Sequence, residues 1–448
     1  MRRIRVVGRV VGLLAAIAAT GVMFAGRAGA TTIERVVSSG GIEAWLVHER
    51  AVPLIAVEFA FAGGAAQDPA GKAGTATLTA SLLDAGAGDL DSTAFSDRLE
   101  RKAIQLSFSA QRDTIHGTMR TLTENRDDAF ELLRLAVTAP RFDTKDVEIS
   151  RAQILSLLRR ETTSPTDIAS RRWWETAFEG HPYGRAVNGT SDTVSSISVA
   201  DLKSYTHRVL ARQNLKIAVV GDIDAETLKA LLDRTFGALP EKPELYPIAN
   251  VALRGLGRRI EVSLDVPQTV VDFGGPGIPR QDPDFMAAYL VNHILGGGST
   301  DSRLYQEVRE KRGLAYSVSD NLVWLDHAAV LLGGTATRAD RAGETVDLIE
   351  REIHHFADNG PTEGELMEAK RYLSSAFVLN LDSSTKIAGL LVQLQLDGFG
   401  TDYFSRRTAM IEAVTLDDAR RVAKRLLDKG LLVTVVGKPQ GFASSKPN

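Results

Sequence analysis

The 448-residue sequence predicts an α+β protein made of two duplicated α/β-sandwich halves, with mixed and mostly antiparallel sheets, that enclose a cleft. Three observations predict it. The chain repeats itself at an offset of about 215 residues. Each half presents strands, helix pairs and an antiparallel hairpin in the same order. A proline-bearing stretch, "LPEKPELYPIANVALRG" at 239–255, separates the two.

Four pairs of segments carry the repeat. "VPLIAVEFAFAGGA" (52–65) parallels "VPQTVVDFGGPGIP" (266–279), and "FDTKDVEISRAQILSLL" (142–158) parallels "GPTEGELMEAKRYLSSA" (360–376). "ISVADLKSYTHRVL" (197–210) parallels "VTLDDARRVAKRLL" (414–427), and "LKIAVVGD" (215–222) parallels "LLVTVVGK" (431–438). Any one pair is weak evidence. Four in register make a duplication.

The elements follow in order. A strand rich in Val, Ile and Phe comes first (54–62; 269–274). Helices are expected over about 74–85 and 92–102, and over about 284–295 and 302–311. Alternating segments over 105–119 and 315–334 read as hairpins. Long helices are expected over 127–137 and 145–160, and over 344–357 and 363–378. A last helix leads to a closing strand ending in "VVG". Ser198, Thr362 and Thr415 each stand three residues before an acid, the arrangement in which a hydroxyl and a carboxylate satisfy first-turn amides.

The N-terminus is set apart. Arg2, Arg3, Arg5 and Arg9 precede an apolar run to Phe24, and "AGA" at 28–30 supplies small residues for a processing site. The reading is a secretory signal over 1–30, an N-terminal half over 31–240, a linker over 241–255 and a C-terminal half over 256–448. An uncleaved anchor is the alternative; the short apolar run favours cleavage after Ala30. The expected location is the periplasm.

Composition excludes several classes. There is no cysteine, so disulfides, thiolate chemistry and a lipoprotein anchor are excluded, and a metal would need His, Asp or Glu. Residues 31–448 hold 48 basic and 56 acidic residues, a net charge of −8, which argues against nucleic acid or an anionic membrane surface.

Two stretches carry a family resemblance: "LGGGSTDSRLYQEVREKRGLAYSV" at 295–318 and "GHPYGRAVNGTSDTVSSISVADLKSY" at 180–205, with "VVGDID" at 219–224. Together they resemble the inverzincin, or insulinase/pitrilysin (M16-like), peptidases, over nearly all of 31–448. The resemblance implies a LuxS/metalloenzyme-like sandwich in each half. It also implies H-x-x-E-H on the first helix of the first half, where two His bind zinc and the Glu polarises a water. Here the matching helix, "GTATLTASLLDAG", has Thr77 and Ser81 at the His positions and Ala80 at the Glu. The region of the further Glu ligand, "AQILSLLRR" at 152–160, has no acid. Hydroxyls do not replace imidazole on zinc at neutral pH, so no metal is expected on this chain.

No substitute site is legible. The eight His give no H-x-x-x-H; His354 with Asp358 is one i,i+4 pair, read as a polar helix face. His181 in "HPYGR" is read as structural. Ser299 and Ser302 lack a G-x-S-x-G elbow. The second half keeps what the first lost. The resemblance implies an Arg and a Tyr seven residues apart that hold the substrate carbonyl and backbone, and "REKRGLAY" supplies Arg309 and Tyr316. A guanidinium and a phenol are both donors to carbonyl oxygens. Gly296, Gly297 and Gly298 precede them and either approach a peptide backbone or end the preceding helix. For Arg309 alone the alternative is an ion pair with Glu310 or Glu307.

The expected function is thus a non-catalytic, substrate-binding partner subunit of a heterodimeric zinc metallopeptidase acting on peptides or unfolded protein. Zinc would sit in an H-x-x-E-H-bearing sister subunit. The alternative is a catalytically inactive peptide-binding or scaffold protein.

Overall fold

The computed structural model describes residues 32–297, 300–379 and 381–445. The candidate signal segment 1–30, Gly298 and Ser299 lie outside them.

The first sheet has six strands: β1 (Ile33–Val37), β2 (Glu43–His48), β3 (Leu54–Ala62), β4 (Gln105–Ala110), β5 (Thr114–Leu122) and β6 (Leu215–Gly221), ordered β1-β2-β6-β3-β5-β4. The second has five: β7 (Arg259–Ser263), β8 (Gln268–Pro276), β9 (Ala315–Trp324), β10 (Ala329–Arg338) and β11 (Leu432–Gly437), ordered β7-β11-β8-β10-β9. Without β1 the two orders are the same. Each sheet has one parallel pair, β2 with β6 and β7 with β11, and is otherwise antiparallel.

The duplication extends to side chains. Phe59 on β3 lies opposite Gly117 on β5, and Phe273 on β8 lies opposite Gly333 on β10. A Cβ on Gly117 would stand 2.0 Å from the Phe59 ring, and one on Gly333 2.4 Å from the Phe273 ring. In each sheet a buried ring covers the neighbouring strand at a residue that must have no side chain.

The linker is not the only tie between the halves. Helix Pro165–Ala177 leaves the first half and packs on β8 and β11 of the second. There Trp173, fully buried, donates from Nε1 to the Leu432 carbonyl at 3.1 Å. Helix Ser384–Leu396 leaves the second half and packs on β3 and β6 of the first, where Gln395 Nε2 donates to the Ile217 carbonyl at 2.9 Å. Trp45, Ala60 and Val220 of the first sheet therefore belong to the same apolar core as the second half's helices. The "HPYGR" loop adds a latch. Tyr183 Oη donates to Asp113 Oδ1 at 2.7 Å and accepts from the His327 amide at 3.0 Å, across the two halves. His181 bonds the linker carbonyl of Ala249 at 3.0 Å, consistent with a structural role.

Several expected elements are revised. The helix expected over 74–85 runs only Thr75–Ala80; tighter turns follow, with Leu82 N–H to Thr79 O at 3.0 Å and Ala85 N–H to Leu82 O at 3.2 Å. The helix expected over 302–311 is one α-turn, Arg303–Tyr305, that widens into a π-turn over Gln306–Glu310. The two exchanged helices, β1, β2 and β7 were not expected at all.

Placing a methyl beneath either ring should strain the sheet. Gly117→Ala and Gly333→Ala should each lower unfolding free energy by ~1–3 kcal/mol in urea melts. A neutral result at both would mean the rings are free to swing away.

Candidate functional site

The two remnants of the family pattern lie in different halves. At the first, helix Thr75–Ala80 starts on Asp68, whose carboxylate accepts from the amides of Gly74 at 2.7 Å and Ala76 at 2.8 Å. Burial pushes this carboxyl up to about 7 against those bonds. Thr77 Oγ1 donates to the Val187 carbonyl at 2.8 Å, and Ser81 Oγ donates to the Leu78 carbonyl at 2.9 Å. Ala80 is buried. Both hydroxyl protons serve the backbone, and none of the three side chains at 77, 80 and 81 offers a zinc ligand or a base. Among the described residues no group of three or more His, Asp or Glu could hold a metal ion. These residues do not fit zinc.

The second remnant is assembled by helix termination. Helix Phe285–Leu295 ends at Gly296, and the amides of Gly296 and Gly297 both reach the Asn292 carbonyl at 3.0 Å. A Cβ on Gly296 would stand 2.8 Å from the Asp320 carboxyl, and one on Gly297 2.7 Å from the His293 backbone. The Gly296 carbonyl accepts from the Asp320 amide on β9 at 2.9 Å. These two glycines thus press the helix end against the outer edge of β9. Gly298 is outside the described residues.

From there the chain enters the π-turn and reverses at Gly313. Gly313 takes a left-handed φ of +58°, its amide bonds the Arg309 carbonyl at 2.9 Å, and the Leu314 amide bonds the Val308 carbonyl at 2.9 Å. Buried Val308 and Leu314 close the turn. The reversal sets Tyr316 beside Arg309. The guanidinium lies 5.2 Å from the Tyr316 ring and 5.0 Å from the Tyr305 ring, between two aromatic faces. Arg309 also pairs with Glu310 at 3.2 Å, the bond its own sequence context offered, while Glu307 pairs with Lys311 and Arg312.

Tyr316 is 83% exposed, and among the described residues nothing bonds its hydroxyl. A bulge explains the exposure. The pairing steps from Val318↔Thr335 to Ala315↔Thr337, so Tyr316 and Ser317 share one partner residue, Ala336. Bulges twist an edge and re-aim its side chains. The equivalent edge strand of the first half, β4, pairs with β5 without one. An open groove of about 760 Å³ adjoins the pair, lined by Gln268, Arg309, Gly313, Tyr316, Ala336 and Arg338 among others. Alternation along β9 turns the N–H and C=O of Val318 to the same outer edge as the Asp320 amide. The bulge and the Gly296–Asp320 bond left no mark in the sequence pattern; the glycine run and the seven-residue spacing did.

Comparison with known proteins identifies the frame. Residues 196–373 match the family described as the peptidase M16 inactive domain. The chain is similar to M16 peptidases over that stretch and over most of its length. Its match to an uncharacterized zinc protease of Streptomyces coelicolor is 27% identical over 358 residues, 75% of this chain and 77% of that protein. A Helicobacter pylori protein named as a non-peptidase homolog is 27% identical over 326 residues, 72% of this chain and 74% of that one. The crystal structure of a peptidase M16 inactive domain from Pseudomonas fluorescens superposes with a TM-score of 0.86 at 26% identity, covering 93% of this chain and 99% of that one. The chain is thus similar to M16 homologues of the inactive type.

Beneath the glycines Asp320 is fully buried. Its Oδ1 accepts from Asn292 Nδ2 at 2.6 Å, and its Oδ2 has no partner. Burial pushes this carboxyl well above the usual range. The folded state holds a proton that the unfolded chain releases above about pH 4. Stability from this group is therefore lost as pH rises from there. Glu58 and Asp272, raised to about 7 by burial, act in the same direction. Asp320→Asn should match the parent near pH 4 and become progressively more stable than it toward pH 8. Parallel curves in urea melts across that range would show that Asp320 does not contribute.

Proposed function

We propose that this chain is the non-catalytic, substrate-binding partner subunit of a heterodimeric zinc metallopeptidase acting on peptides. The observation that carries the reading is the contrast between the two remnants: the zinc positions are filled by side chains bonded to their own backbone, whereas Tyr316 is bulged outward, stacked on Arg309 and free at its hydroxyl. One half has lost its chemistry, and the other keeps a donor pair aimed at solvent.

In this reading an extended peptide lies along the outer edge of β9, where the backbone of Val318 offers a short stretch of strand pairing. Arg309 offers its guanidinium donors to peptide carbonyls, and its two stacked rings hold it in place. The Tyr316 hydroxyl donates to the carbonyl oxygen under attack, where charge develops. A sister subunit carrying H-x-x-E-H supplies the zinc-bound water. The N-terminal segment 1–30 directs export, which places the pair in the periplasm. The runner-up is an inactive peptide-binding or scaffold protein, which the non-peptidase relative favours.

The deciding experiment measures peptidase activity and zinc content of the chain alone and mixed with an H-x-x-E-H relative from the same organism. Activity only in the mixture, with about one zinc per pair, supports the partner subunit. Activity and zinc in the chain alone would overturn it; activity in neither leaves the scaffold. Within an active mixture, Tyr316→Phe should lower kcat by about tenfold or more. The ring's exposure predicts an unchanged melting temperature, and unchanged turnover would remove Tyr316 from the chemistry.

A further inference from the structure

A cavity of about 410 Å³ lies at the other end of β9, between helix Phe285–Leu295 and helix Ser384–Leu396. It touches β9 at Trp324, eight residues from Tyr316 and so roughly 26 Å along the strand. It is therefore separate from the donor pair. Its walls are apolar: Phe285, Met286, Tyr289, Phe377, Leu390 and Leu394.

Four charged groups line it, and three are balanced. Arg280 sits 3.4 Å from Asp397, bonds the Tyr403 hydroxyl at 2.6 Å and lies over Phe285 and Phe399 at 4.2 and 4.4 Å. Asp397 in turn accepts from Trp324 Nε1 at 3.0 Å and Gln393 Nε2 at 2.8 Å. Lys386 pairs with Asp382 at 2.9 Å at the solvent side.

Arg407 is different. It is 6% exposed, yet among the described residues no carboxylate lies within 4.0 Å of it. One N–H, at Nη1, donates to the Leu373 carbonyl at 2.9 Å, and the guanidinium rests over Phe377 at 4.3 Å and Tyr289 at 5.8 Å. A guanidinium has five donors, and burying its charge without a counter-ion is costly even against aromatic faces. The cavity thus combines an apolar wall, a volume within the range of small-molecule sites and one buried positive charge without an anion.

We propose that this cavity binds an amphiphilic monoanion, a medium-chain carboxylate whose tail fills the apolar space and whose head pairs with Arg407. A neutral ligand of the same shape would leave the guanidinium unpaired. A cationic one would be repelled. The proposal does not depend on the partner-subunit reading, since none of these residues belongs to the donor pair.

Calorimetric titration of the full chain with decanoate, below its micellar concentration, tests it. Saturable one-to-one binding is expected, with decanol weaker by ~10-fold or more. Arg407→Gln should bring decanoate to the level of decanol. Because that variant could fail to fold, a second one fills the cavity. Gly389 lies within helix Ser384–Leu396, lines the cavity and would meet nothing within 4 Å of a Cβ. Gly389→Phe should keep or raise the melting temperature, since Phe is a better helix former than Gly, and abolish decanoate binding. No saturable heat, equal affinity for decanoate and decanol, or unchanged binding in Gly389→Phe would each overturn the proposal.

Discussion

The exchange of two helices, one from each half, is the constraint on which everything else rests. Each sheet has two faces to cover, and each half leaves one face of its sheet bare. Trp173 and Gln395 show how the bare faces are covered: a side chain from the opposite half crosses over and donates to the backbone of the closing strand, at Leu432 or at Ile217. A half on its own would expose both an apolar face and an unsatisfied side chain's acceptor. The duplicated parts are therefore not two domains in the sense of units able to stand apart. The Tyr183–Asp113–His327 contact tightens the same junction from the loop side.

Within that symmetric frame, function is to be sought where the halves differ. The sheets agree in order and even in the Phe–Gly pairs at their centres. They part at the edge strands. β4 pairs regularly, whereas β9 carries a bulge that turns Tyr316 outward. They part again at the first helices: Thr75–Ala80 is short and small in its side chains, whereas Phe285–Leu295 is longer and delivers the glycines to β9.

Much of this was legible in the sequence, for identifiable reasons. The repeat was visible because the strands "VPLIAVEF" and "VPQTVVDF" and the closing "VVG" segments are held by packing that both halves share. Arg309 and Tyr316 were singled out by the family resemblance of "REKRGLAY", and Gly313, a local feature, made their approach readable. The exchanged helices were not. Pro165–Ala177 is buried along Trp173 and Trp174 by strands β8 and β11, about 100 and more than 250 residues away, and no local period announces such partners. Its cap, Ser164 before Pro165, was the one available signal. The bulge and the buried acid at Asp320 were invisible for the same reason: both depend on strand register, which is a property of the pairing and not of either strand.

The bond between the Gly296 carbonyl and the Asp320 amide has a consequence for solubility. An edge strand with a free row of amides and carbonyls is a template on which other chains can stack without limit. Here the row is interrupted at Asp320 by the helix end and distorted at Tyr316–Ser317 by the bulge, so the outward groups of Val318 and Leu322 do not form one continuous row. A second sheet meets an interrupted and twisted edge to grow from. The same two features that shape this edge work against polymerisation through it.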